Sequence, residues 1–216
     1  MIEIKEFEFL RGERFFEQMV TFSLAVTGVR AIINPGSLVE RRKGRISWSL
    51  GGVILEGLVC GSILKALDIA QTIKRGEEVD RIEFEEDSFS HGPITHSSDS
   101  VIGGYLKDVA SVCIGAGYQS IVGSLKSRFG EILEWPPEVQ YLRHLRHAAS
   151  HGNKFRIDKL RGGEPGINPK QPPKWRTSKM KSVNDMEGKQ LFDEFLLPGD
   201  IPVLLSDIRQ MLTNRT

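Results

Sequence analysis

Apolar residues recur at three- and four-residue intervals through four stretches of the chain, and Gly or Pro closes most of them. The first stretch runs from about Glu13 to Ile33, with Phe15, Phe16, Met19, Phe22 and Val26 near helical spacing, and ends at Asn34-Pro35-Gly36. The second covers about Ser47 to Lys74 and stops at Gly76, and the third spans about Ser98 to Phe129 and closes at Gly130. Pro136-Pro137 then opens a fourth, since a proline in the first helical turn gives up no needed N–H. Between the second and third lies Glu77 to Ser98, an acidic run with His and Pro that reads as a loop too polar for a core. The pattern predicts a mainly all-α fold, a bundle of four helices.

Past Gly152 the composition shifts. Gly162-Gly163-Glu164-Pro165-Gly166 and Pro169 to Pro173 form a Gly/Pro-rich loop. Trp175 to Ser178 and Gln190 to Phe195 have room for two short strands, and Pro198-Gly199-Asp200 breaks the chain before a last helix to about Leu212, with Asp200 as N-cap and Pro202 in its first turn. The expected organisation is a helical bundle over residues 1–160 and a small C-terminal extension over 161–216 packed on it.

Leu50 to Ala70, with Gly51, Gly52, Gly57 and Gly61, is apolar enough to need a membrane check. Glu56, Lys65 and Asp68 interrupt it, and a charge at mid-bilayer costs roughly 2.5–3.5 kcal/mol on insertion scales, so a buried bundle helix is expected instead. Cys60 and Cys113 sit in apolar helical segments away from metal-ligand spacings and read as small buried hydrophobes of a reducing cytosol. The N-terminus has no basic stretch leading into an apolar one, so a cytoplasmic protein without a secretory signal is expected. The Phe15, Phe16 and Phe22 series reads as core or dimer interface. His91 and His96 lack the companions of a metal site, and no metal or cofactor is expected.

Charge changes the picture. The net charge of +1 hides an asymmetry: residues 141–181 hold eleven Lys/Arg against two Asp/Glu, whereas 77–87 hold seven acids against one Arg. A basic segment of this kind is an electrostatic footprint for nucleic acid. It begins with Arg143-His144-Leu145-Arg146-His147-Ala148-Ala149-Ser150-His151-Gly152-Asn153. At about 100° per residue, Val139, Leu142, Leu145 and Ala149 gather on an apolar stripe. Arg143, His147 and Ser150, with Arg146 and His151 beside them, fall on the polar side, and His144 reads as a surface residue. Gly152 suits a helix C′ position.

Guanidinium and imidazole at one helix end suit one reaction class. Cutting RNA without a metal needs a group to take the ribose 2′-OH proton, a group to protonate the leaving 5′-oxygen, and a cation for the charge growing on phosphate. The bland alternatives stay open beside it: Arg143 and Arg146 as solvated surface charges, His151 as a helix cap.

Arg146-His147-Ala148-Ala149-Ser150-His151 resembles the Arg-x4–6-His signature of the HEPN superfamily. His147 stands in the slot after the arginine that the family fills with a polar residue. Gly152-Asn153 is similar to the His-Gly-Asn ending of many HEPN proteins of prokaryotic toxin and phage-defence systems. The resemblance covers about Pro137 to Asn153. It implies an antiparallel helical bundle that forms a homodimer, two copies of the motif meeting in one cleft that cuts RNA without metal to a 2′,3′-cyclic phosphate and a 5′-hydroxyl. Carried over, His151 is the acid/base, Arg146 orients phosphate and stabilises its charge, and His147 is auxiliary. Arg143, Asn153, Lys154, Arg156, Lys174 and Arg176 are then expected RNA contacts, and an antitoxin or a defence-complex partner is a further expectation. The same helix in a non-catalytic HEPN module would bind RNA or a protein partner without cutting.

Overall fold

The structure is a computed structural model. It describes residues 4–33, 49–50, 53–54, 73, 75–87, 101–156, 172–176, 186–192, 195–196 and 198–214. The described residues are mainly helical: β1 (Ile4–Leu10), α1 (Phe16–Ile33), β2 (Ser49–Leu50), β3 (Val53–Ile54), β4 (Arg81–Asp87), α2 (Val101–Phe129), a 3-10 turn (Ile132–Glu134), α3 (Pro137–Ser150) and α4 (Asp200–Asn214). They divide into two compact units, one of Met1–Cys113 with Leu197–Thr216 and the other of Ile114–Leu196, so the helix carrying the motif shares a unit with the segment after it.

The first unit departs most from expectation. The acidic run is not all loop, because β4 pairs antiparallel with β1, placing Phe7 opposite Phe84, Glu8 opposite Glu83 and Phe9 opposite Ile82. Both segments alternate Phe or Ile with Glu, and strand geometry turns that period of two into one apolar and one acidic face. Phe7, Phe9, Ile82 and Phe84 are all buried. Phe7 stacks on Phe84 at 5.3 Å, and Phe9 meets Phe84 edge-on at 5.9 Å. On the other face the like charges of Glu8 and Glu83 would repel. Arg81 offsets this from within the ladder, 3.9 Å from Glu8 and 3.1 Å from Glu83.

Phe15, Phe16, Met19 and Phe22 are buried, as expected of a core series. Cys113 is buried too, its thiol donating to the Gln18 carbonyl at 3.3 Å, and burial pushes its pKa up to about 12, which makes it an inert hydrophobe. Helix α4 starts at Asp200, whose carboxylate lies in the first turn where the helix dipole favours it, and Pro202 follows where no N–H is required. Arg209 of α4 pairs with Glu13, and its guanidinium lies 4.6 Å over the Phe9 ring.

Two further expectations change. The proposed start of the second helix is a short antiparallel pair, Ser49–Leu50 with Val53–Ile54; Ile73 is helical, and the other residues of 47–72, Cys60 among them, lie outside the described residues, as do His91 and His96. In place of two C-terminal strands, Trp175 and Arg176 have no regular structure, and Gln190 and Phe192 make isolated bridges to Lys154 and Leu196. Among the described residues, no helix is long and apolar enough to cross a membrane.

Candidate functional site at the end of the motif helix

Helix α3 begins as the proline pair dictates. Pro137 occupies the first turn with its φ already helical, and the Val139 and Gln140 N–H groups both reach the Pro136 carbonyl at 3.0 Å. The Gln140 side chain binds the preceding turn to the helix by donating to the carbonyls of Leu133 and Trp135 at 3.0 and 2.9 Å. Fully buried Trp135 and nearly fully buried Trp175 anchor the surroundings, Trp175 within 6.2 Å of the Tyr141 ring. Burying a large apolar side chain is worth about 1.5–3 kcal/mol, so this end of α3 is held firmly.

The helix is covered on far more than one stripe. Val139, Leu142 and Leu145 are fully buried as expected, but so are Gln140, Tyr141 and Ala148, whereas Ala149 is half-buried. Arg143 and His144 are each 2% exposed, which corrects their assignment to an accessible polar face. An Arg143 amino nitrogen lies 3.2 Å from His144 Nε2. A guanidinium only donates, so Nε2 accepts and His144 is the neutral imidazole with its proton on Nδ1. Burial first, then the charges of Arg143 and His147, lowers the His144 pKa to about 3. In the unbound chain Arg143 is therefore not presented to RNA.

The last turn is different. Arg146 and His147 are half-buried, while Ser150 and His151 are exposed. The His147 and His151 rings lie side by side, centres 4.3 Å apart and planes at 52°, the contact that four-residue spacing on a helix allows. The Arg146 guanidinium lies 5.9 Å over the Tyr118 ring of α2, within cation–π range. Tyr118 was not foreseen: a ring from a different helix leaves no trace near the motif in sequence. The helix stops because the His151 N–H turns back to the Ala148 carbonyl at 3.1 Å and Gly152 takes φ +73°, open to glycine without steric cost.

Asn153 follows at φ +63°. Its side-chain Oδ1 accepts the Phe192 N–H at 3.0 Å and its carbonyl accepts the Leu191 N–H at 2.8 Å, so the residue pins 191–192 to the exit of the helix. The first of these bonds occupies the side-chain oxygen of Asn153, a residue expected to contact RNA. Lys154 and Arg156 are exposed just beyond this clamp.

Lys174 and Arg176 are placed elsewhere. The Lys174 N–H donates to the Pro137 carbonyl at 3.3 Å, fixing this segment at the start of α3, and the 14-residue helix spans about 21 Å at 1.5 Å per residue. Lys174 is exposed, and Arg176 is half-buried with its guanidinium 5.6 Å from the Trp175 ring. Apart from buried Arg143 in mid-helix, the expected basic residues thus form two groups, one at each end of the helix.

Among the described residues, no group of three or more His, Cys, Asp or Glu could hold a metal ion. Comparison of the chain with known protein families, curated proteins and solved structures finds no match.

Proposed function

We propose that this chain is a metal-independent endoribonuclease of the HEPN type, an antiparallel helical bundle working as a homodimer in a toxin or antiphage defence setting. One observation supports this reading above the others: two imidazoles side by side at the end of α3, half-buried His147 and exposed His151, with a guanidinium on the same turn. These are the groups that RNA cleavage through the 2′-hydroxyl requires, and here the fold exposes His151 and leaves Arg146 and His147 partly accessible while it buries the neighbouring Arg143 and His144.

In the reaction, an imidazole accepts the 2′-OH proton as the 2′-oxygen bonds to phosphorus. The bond from phosphorus to the 5′-oxygen breaks, and an imidazolium delivers a proton to that oxygen. Arg146 neutralises the non-bridging oxygens as charge builds on them. The products are a 2′,3′-cyclic phosphate and a 5′-hydroxyl. His151, the more exposed ring, is the acid/base, and His147 supports it from 4.3 Å. The partner copy supplies the second set of groups.

The test is to incubate purified protein with single-stranded RNA in excess chelator. Cleavage to cyclic-phosphate ends that survives chelation and disappears in His151→Ala is the expected result. RNA binding without cleavage would instead identify a non-catalytic module.

A further inference from the structure

Two histidines four residues apart on one helix face are the spacing that lets a helix chelate a single transition-metal ion. An ion bound about 2.0–2.1 Å from one nitrogen of each ring sets the ring centres about 4.5 Å apart when those nitrogens subtend a right angle, as at tetragonal nickel or copper, and about 5.2 Å apart at tetrahedral zinc. His147 and His151 have centres 4.3 Å apart with planes at 52°, so their spacing is near that of a right-angled chelate and about 1 Å short of a tetrahedral one. His147 is half-buried on the helix and His151 exposed, which gives the pair one anchored and one adaptable donor. Imidazole nitrogen suits zinc, nickel and copper, not magnesium or calcium.

We propose that His147 and His151 form a two-imidazole site for one divalent ion of the zinc, nickel or copper class, and that the bound ion switches the site off. The second half rests on the ribonuclease reading. A metal binds imidazole through the nitrogen lone pair, and that lone pair is where a proton would be accepted, so a metal-bound ring cannot take the 2′-OH proton. Among the described residues no third protein ligand joins the pair. Water fills the remaining positions, and the ion is removable by chelators. The neighbouring Arg146 charge opposes a second cation and keeps the affinity modest.

Chelator-stripped full-length protein titrated with zinc in a calorimeter tests the site without RNA. One zinc per chain is expected, with affinity falling at least about tenfold in both His147→Ala and His151→Ala, the scale on which even a metal's supporting groups act. Binding should persist in the His91→Ala/His96→Ala double variant, which leaves the pair at the end of α3 intact. Thermal unfolding in chelator checks each variant's fold, and glutamine replaces alanine where a variant does not fold. No zinc uptake by the native chain, or uptake that survives both substitutions at the end of α3, overturns the site. In the cleavage assay, zinc should suppress activity and chelator restore it; zinc that binds without slowing cleavage overturns the switch. Absence of cleavage in every condition overturns the ribonuclease reading and the switch with it, while zinc binding abolished in both variants still supports the chelate.

Discussion

Arg143-His144 and Arg146-His147 are the same dipeptide three residues apart on one helix, yet their surroundings are opposite. The first pair is 2% exposed at each residue, its guanidinium and imidazole turned on one another; the second is half-buried and continues to exposed His151. Residue type is therefore a poor guide to role here. A buried imidazole held neutral beside a guanidinium is a packing element, whereas an accessible one is available to a proton, a metal or a phosphate.

The largest expected effect tests the accessible end. His151→Ala should lower RNA cleavage by about 10²–10⁴-fold, the usual contribution of a general acid or base, while thermal unfolding stays close to that of the native chain. The buried end should answer the other way. Arg143→Ala should destabilise by about 2–5 kcal/mol in denaturant titration, because it empties space in a packed region and strips His144 of its hydrogen-bond donor. If Arg143→Ala leaves stability intact and removes RNA binding, the contrast between the two pairs is wrong.

Protonation sharpens the same contrast. The folded His144 pKa of about 3 lies below the ordinary value of 6.5, so between those values the unfolded chain binds more protons and stability falls as pH falls. The slope from this one group approaches about 1.4 kcal/mol per pH unit. His144→Gln should flatten the fall in melting temperature across that window. A smaller effect is expected at the helix exit: Asn153→Ala should cost about 1 kcal/mol, the usual worth of a hydrogen bond, with cleavage per folded molecule little changed. The smallest concerns the charges beyond the clamp. Lys154→Ala and Arg156→Ala should each make the salt slope of RNA binding shallower by about 0.7, the value for one neutralised phosphate on a single strand, measured by affinity at several salt concentrations.

Much of the helical frame was legible in the chain. Pro137 set the start of α3, Gly152 its end and Gly130 the end of α2, because each changes the allowed backbone in a way that neighbours do not override. The sheet was missed for an identifiable reason. In Ile4–Leu10 and Arg81–Asp87 every second position near the centre is glutamate, and the weight of charge hid the alternating Phe and Ile beneath it. At the site, the cluster of Arg146, His147 and His151 was visible from helical spacing. The burial of Arg143, the ring of Tyr118 under Arg146 and the clamp of Asn153 on Phe192 were not, since each depends on residues distant in sequence.

Local rules, the fixed φ of proline, the freedom of glycine and the 3.6-residue turn, were enough for the sequence to determine where the motif helix starts and stops and which two imidazoles neighbour each other. Which of its two Arg-His pairs is buried was decided only by tertiary packing. Exposure is a property of what lies against a residue, and no local rule of a helix fixes that.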